Sequence, residues 1–170
     1  MKTNRRGLLL CLLGLAACEK PGEATPFANG AATLKMPGGF RVLNSDNPNG
    51  LTIASTRAPR VEVRFVYQSF REQAKINPNV ARTFLNGYAG TVGAERLSIS
   101  GTATGALIQS PARVGSADDA GYESFGAVAF PDALVTFKLA ARGGQGAQAI
   151  LEFKKSGLAA LLSGLSAVGV

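Results

Sequence analysis

The chain has no histidine and no tryptophan, and only two cysteines in 170 residues. Lack of histidine excludes Ser-His-Asp and Cys-His catalysis and the commonest zinc ligand sets. Lack of tryptophan means that an aromatic cage or stacking platform would draw on three tyrosines and nine phenylalanines, several of which the core needs. Long apolar runs are also missing. Leu8 to Ala17 falls well short of the roughly 20 residues that a membrane-spanning helix takes. No run of charge of one sign marks a nucleic-acid surface, and the formal net charge of +7 is inflated by Lys2, Arg5 and Arg6 at the very start.

What is present at the start is a positively charged segment, an apolar run of signal-peptide length, and then Leu15-Ala16-Ala17-Cys18. This tetrapeptide resembles the lipobox of bacterial lipoproteins. The resemblance implies a signal peptide over residues 1–17, cleavage before Cys18, lipidation of its sulfur and acylation of its new amino group. The protein is then held to a membrane through lipid on Cys18 and faces the periplasm, with the outer membrane favoured over the inner. Arg5-Arg6 matches only the core of a twin-arginine signal, and the charged region of an ordinary secretory signal is the favoured reading. Cleavage removes 17 residues and leaves 153, one domain with room for a real core. It also leaves 15 basic against 11 acidic side chains, too slight an excess to argue for nucleic acid. Cys11 is removed and Cys18 carries lipid, so no disulfide contributes and stability must come from packing.

Residues 18–30 contain Pro21, Gly22, Pro26 and Gly30 with no apolar period, the composition of a tether. A single domain is expected over 31–170. Ala32 to Met36, Phe40 to Leu43 and Leu51 to Thr56 read as short strands. Between the last two, residues 44–50 are dense in turn formers. From Arg60 to Ser69, Val61, Val63, Phe65 and Tyr67 alternate with Arg60, Glu62, Arg64 and Gln68, the pattern of an antiparallel strand with one dry face. Asn77-Pro78 then opens a helix in which Val80, Phe84, Tyr88 and Val92 recur every four residues. Leu97 to Thr102 and Ala106 to Val114 are weaker strands, and Pro111 in the second suggests an edge or bulge. Tyr122 to Phe130 and Ala133 to Ala141 flank Pro131-Asp132 as a hairpin. From Ala149, Ile150, Phe153, Leu158, Leu161, Leu162 and Leu165 step by threes and fours as a closing helix.

The expected fold class is α+β: an antiparallel sheet of six to seven strands packed with two amphipathic helices. In this layout the mature chain resembles the PsbP-like fold family. The resemblance lies in the Leu34 to Val42 opening with its Pro37-Gly38-Gly39-Phe40, the long middle helix, the late hairpin and the closing helix. At Phe40 the family commonly has tryptophan. The resemblance implies a binding or assembly role, with no functional residue carried over.

No catalytic constellation, metal set or cofactor motif emerges. Gly143-Gly144-Gln145-Gly146 lacks the Lys-Ser/Thr ending of a phosphate loop and reads as a flexible joint. Asp118-Asp119 with Glu123 has too few oxygen ligands for calcium and reads as a solvated turn. Arg57, Arg60 and Arg64, with Arg41, form the candidate partner-binding surface, a basic patch for an acidic protein. Glu62 between two of them offers the simpler outcome of cross-strand ion pairing. The favoured function is a non-enzymatic protein-binding module, an assembly factor or an immunity-type protective partner. Its alternative is a carrier of a small apolar ligand held between sheet and helix, in room left by Ala103, Gly105, Ala106, Gly126, Ala127 and Ala129. A hydrolase working with carboxylates alone would need two acids about 5–9.5 Å apart in one cleft.

Overall fold

The computed structural model describes residues 22–43, 45–116 and 120–167. Residues 1–17, expected to be a signal peptide, and Cys18, Asp118 and Asp119 lie outside the described residues. Among the described residues, eleven strands form two antiparallel sheets. The first is small: β1 (Ala24–Phe27), β2 (Ala32–Lys35) and β11 (Leu165–Ala167), with β2 central. The second has eight strands. Its path runs β3 (Phe40–Leu43), β4 (Gly50–Ser55), β5 (Glu62–Ser69), β10 (Ala133–Arg142), β9 (Gly121–Ala129), β7 (Gly105–Ile108), β6 (Glu95–Leu97), with β8 (Ala112–Val114) beside β9. The α+β architecture is as expected; the main sheet has more strands than the six to seven expected, because Pro111 divides Ala106 to Val114 into β7 and β8. Both halves still pair with β9.

The hydrophobic alternation decides which face is dry. Val63 and Phe65 on β5 stand beside Leu139 and Phe137 on β10, all buried. This first face is covered by the closing helical segment and the small sheet. The segment consists of α3 (Gly146–Phe153), a π-helical turn (Lys154–Leu158) and α4 (Ala159–Ser163). Ile150, Phe153, Leu158, Leu161 and Leu162 are all buried in the main core. Each contributes about 1.5–3 kcal/mol before ordering entropy is subtracted.

Two expectations change here. Leu165 belongs to a strand, not to the closing helix. The helix ends at Ser163, Gly164 follows, and the Lys35 amide donates to the Gly164 carbonyl at 2.8 Å, which starts the pairing of β11 with β2. A Cβ on Gly164 would lie 2.2 Å from the Lys35 carbonyl oxygen, so only glycine permits this approach. Second, half of the expected tether is packed structure. β1 pairs with β2, and Phe27 and Ala28 are buried in the main core, so the domain begins ahead of Ala31.

The second face is covered by α2 (Val80–Val92), which follows a short α1 (Arg71–Ala74). Asn77 does not cap α2. Its Oδ1 accepts from the Asn79 amide at 3.0 Å and forms the turn from which the helix starts at Val80. Gly93, in the left-handed region with φ of 61°, ends it. Val80, Ala81 and Leu85 pack on Leu107, Ala127, Ala129 and Leu134. Among the described residues no helix is long and apolar enough to cross a membrane.

Candidate functional site

α2 has only 13 residues, about 20 Å of helix, and lies over the β7–β9 side of the second face. The rest of that face is open. One cross-strand row reads Leu43, Thr52, Arg64, Lys138, Phe125 across β3, β4, β5, β10 and β9. The next reads Arg41, Ala54, Glu62, Ala140, Glu123. Small residues make the floor shallow, and the charged side chains stand up from it.

The electrostatics are uneven. Arg64 and Lys138 are direct cross-strand partners. Like charges so placed are unfavourable, and Lys138 leans away to pair with Glu123 at 2.6 Å. Arg41 and Arg64 are exposed and have no ion pair among the described residues. Glu62 has no ion pair with Arg60 or Arg64; the cross-strand ion pair on this face is Lys138 with Glu123. Thr52, 3% exposed and opposite Arg64, has a buried hydroxyl without a partner among the described residues. Phe125, 40% exposed, closes the row with an apolar ring.

Beside this row lies a hollow of about 300 Å³ lined by Glu62, Tyr122, Glu123, Lys138, Ala140 and neighbours. It exists because Ala140 puts only a methyl group between the glutamates and Gly121, at its edge, has no side chain. Glu62 and Glu123 lie two strand spacings apart across Ala140, nearly 10 Å between backbones. Glu123 is paired with Lys138, and Glu62 has no ion pair among the described residues. Among the described residues no three metal-ligating side chains cluster.

The structure separates the arginines grouped from the sequence. Arg64 stands in the middle of the open face. Arg57 and Arg60 are exposed in the β4–β5 loop, ahead of the first strand residue, Glu62. That loop is tied to the Pro37-Gly38-Gly39 turn: the Thr56 amide and hydroxyl both donate to the Gly39 carbonyl, at 2.8 and 3.0 Å. Lys138 and Phe125 join Arg64 instead. Their polar-face position in the hairpin is readable from alternation; their adjacency to Arg64 needs the register of β10 against β5 and β9.

Other sequence candidates have packing roles. A Cβ on Gly146 would meet the Ala141 carbonyl oxygen at 2.8 Å and the Tyr122 ring at 2.9 Å, so this glycine lets α3 start against the sheet. Gly126 lies under the Phe137 ring, with its hypothetical Cβ 2.2 Å from Cζ. Gly105 faces Leu85 of α2 at 3.0 Å. At Gly146 and Gly105 the missing side chain lets a helix approach the sheet, and at Gly126 it makes room for the Phe137 ring of the neighbouring strand.

No protein-family model matches the chain, and no curated protein does either. Among solved structures it is similar to a protein of Bacteroides thetaiotaomicron, with a TM-score of 0.60 and 9% identity over 88% of this chain and 49% of that one. The chain thus spans about half the length of that protein. It is also similar to LpqN, involved in cell envelope biogenesis of Mycobacterium tuberculosis, with a TM-score of 0.47 and 13% identity over 80% of this chain and 82% of that one. A third is the cyanobacterial PsbP of Synechocystis, with a TM-score of 0.37 and 8% identity over 86% and 92%. The first is a likeness of fold. The other two, at these TM-scores, carry no functional argument.

Proposed function

We propose that this chain is a membrane-anchored periplasmic lipoprotein that acts without catalysis, by binding an acidic protein partner on the open half of its main sheet. It serves as an assembly factor or a protective partner of the immunity type. The observation that supports this is the uncovered face itself. Arg41 and Arg64 stand exposed and without an ion pair among the described residues, on a shallow floor of Thr52, Ala54 and Ala140. An acidic surface docking there supplies the countercharge and separates Arg64 from Lys138 electrostatically. Rim charges of this kind set association rate and specificity more than raw affinity.

The test uses full-length protein in its native membranes, with Arg41→Glu/Arg64→Glu beside the wild type. Solubilised complexes are captured at low and high salt. The expected partner binds the wild type, weakens with salt, is lost with the double variant, and is regained when an acidic residue on the partner is reversed to arginine. A partner set unchanged by the double variant overturns the proposal.

A further inference from the structure

The packed part of the expected tether changes where the domain must sit. β1 begins at Ala24, and the Gly22 amide already donates to the Met36 carbonyl at 3.2 Å. Four residues therefore carry the chain from Cys18 to a fixed point on the domain. Fully extended they reach no more than about 14 Å. β5 alone is roughly 23 Å long at strand rise. A tether shorter than the domain holds one end of it against the bilayer.

That end can be named. Gly22, Lys35, Pro37, Gly38, Ala160 and Ser163 line a hollow of about 340 Å³ where the chain enters. The Pro37-Gly38-Gly39 turn runs from there to the β4–β5 loop, fastened at Thr56. Lys35, Arg57 and Arg60 are all exposed at this end, and none has an ion pair among the described residues. Glu23 is the exposed acid beside the entry point, and Glu62 begins β5 nearby. The opposite end carries the elbow between α1 and α2, where Ile76 is 90% exposed.

We infer that Lys35, Arg57 and Arg60 form a membrane-facing surface that rests on anionic phospholipid headgroups; this depends on the lipid anchor at Cys18 proposed above. The lipid holds this end close enough that these cations can come within a Debye length of the bilayer, where each basic side chain gains severalfold in occupancy over a neutral one. The domain is thereby oriented, with Arg41 and Arg64 on a face that rises from the membrane and stays open sideways to a partner. Arg57 and Arg60 then serve a different contact from Arg64, which accounts for their separation in the fold.

The experiment uses full-length lipidated protein reconstituted in vesicles of phosphatidylcholine with or without phosphatidylglycerol. Single cysteines at Ala160→Cys and Ile76→Cys carry a fluorophore, and headgroup-spin-labelled lipid is the quencher. Strong quenching at 160 and little at 76 is expected, rising with phosphatidylglycerol. Lys35→Glu/Arg57→Glu/Arg60→Glu should lower the quenching at 160 severalfold and remove its dependence on anionic lipid. Equal quenching at the two positions, or indifference to phosphatidylglycerol and to the triple variant, overturns the inference. So does quenching at 160 that appears only when native membrane proteins are present, which would assign this end to a protein. Absence of labelled fatty acid on the wild type would instead overturn the anchor itself, and that is read before the vesicles are made.

Discussion

Arg64 of β5 and Lys138 of β10 are direct cross-strand partners, two cations side by side on the part of a sheet face that α2 leaves open. Lys138 turns to Glu123 and Arg64 is left to solvent. Elsewhere on the same sheet, residues in equivalent pairs are apolar and buried, as with Phe65 and Phe137. The repulsion is tolerated here because the face is wet, and a wet face with spare positive charge is where a partner can add stability that the isolated domain lacks.

Lys138→Met should therefore change stability little, by less than about 1 kcal/mol. It breaks an ion pair that is partly exposed, 30% at Lys138 and 22% at Glu123, and at the same time relieves Arg64. Urea unfolding of Lys138→Met, Glu123→Gln and the double variant measures this. A loss of several kcal/mol in the first would show that the pair holds the sheet together.

Gly126→Ala is expected to be severe for a single methyl group. The new Cβ would stand 2.2 Å from Phe137 Cζ and 2.5 Å from the Leu107 carbonyl oxygen, and the latter is backbone that cannot swing aside. Overpacking of this kind costs about 1–3 kcal/mol, and more where backbone must shift. A thermal melt within a degree or two of the wild type would refute the packing described for this hairpin.

Leu161→Ala should cost about 2–5 kcal/mol, since Leu161 is fully buried between the closing helix and the sheet. Deletion of everything after Gly144 removes that helix and β11 together, and insoluble or molten protein is the expected product. A cooperative melt of the truncated chain near the full-length temperature would make the closing segment an appendage.

Cys18→Ser should abolish lipidation, because the hydroxyl does not replace the thiol in the transfer. Labelled fatty acid and membrane fractionation report it. Label retained at wild-type level in the variant would remove the anchor, and with it the membrane-facing end.

The broad architecture was legible. Alternation at Val61, Val63 and Phe65 marked the dry face, the fourfold recurrence from Val80 marked α2, and Pro131-Asp132 marked the hairpin. The failures were at places where a local pattern admits two structures. Leu165 continues the helical spacing of Leu158 and Leu161, yet Gly164 lets the backbone close on Lys35 and the residue pairs as a strand. Ala24 to Phe27 has the composition of a linker, and only the exposed edge of β2 makes it a strand.

Side-chain period is a property of neighbours along the chain, so the sequence by itself determined the dry face of strands such as β5, although in α2 Leu85 is buried and Phe84, of the fourfold row, is 56% exposed. The sequence also carried the lipobox-like Leu15-Ala16-Ala17-Cys18, a feature that needs no fold. Register and coverage depend on residues far apart in the chain. That Arg64 meets Lys138, that Arg57 and Arg60 instead gather at the chain's entry with Lys35, and that α2 leaves half a sheet face open were decided only by the tertiary structure. Each follows from long-range pairing energies that no local window contains.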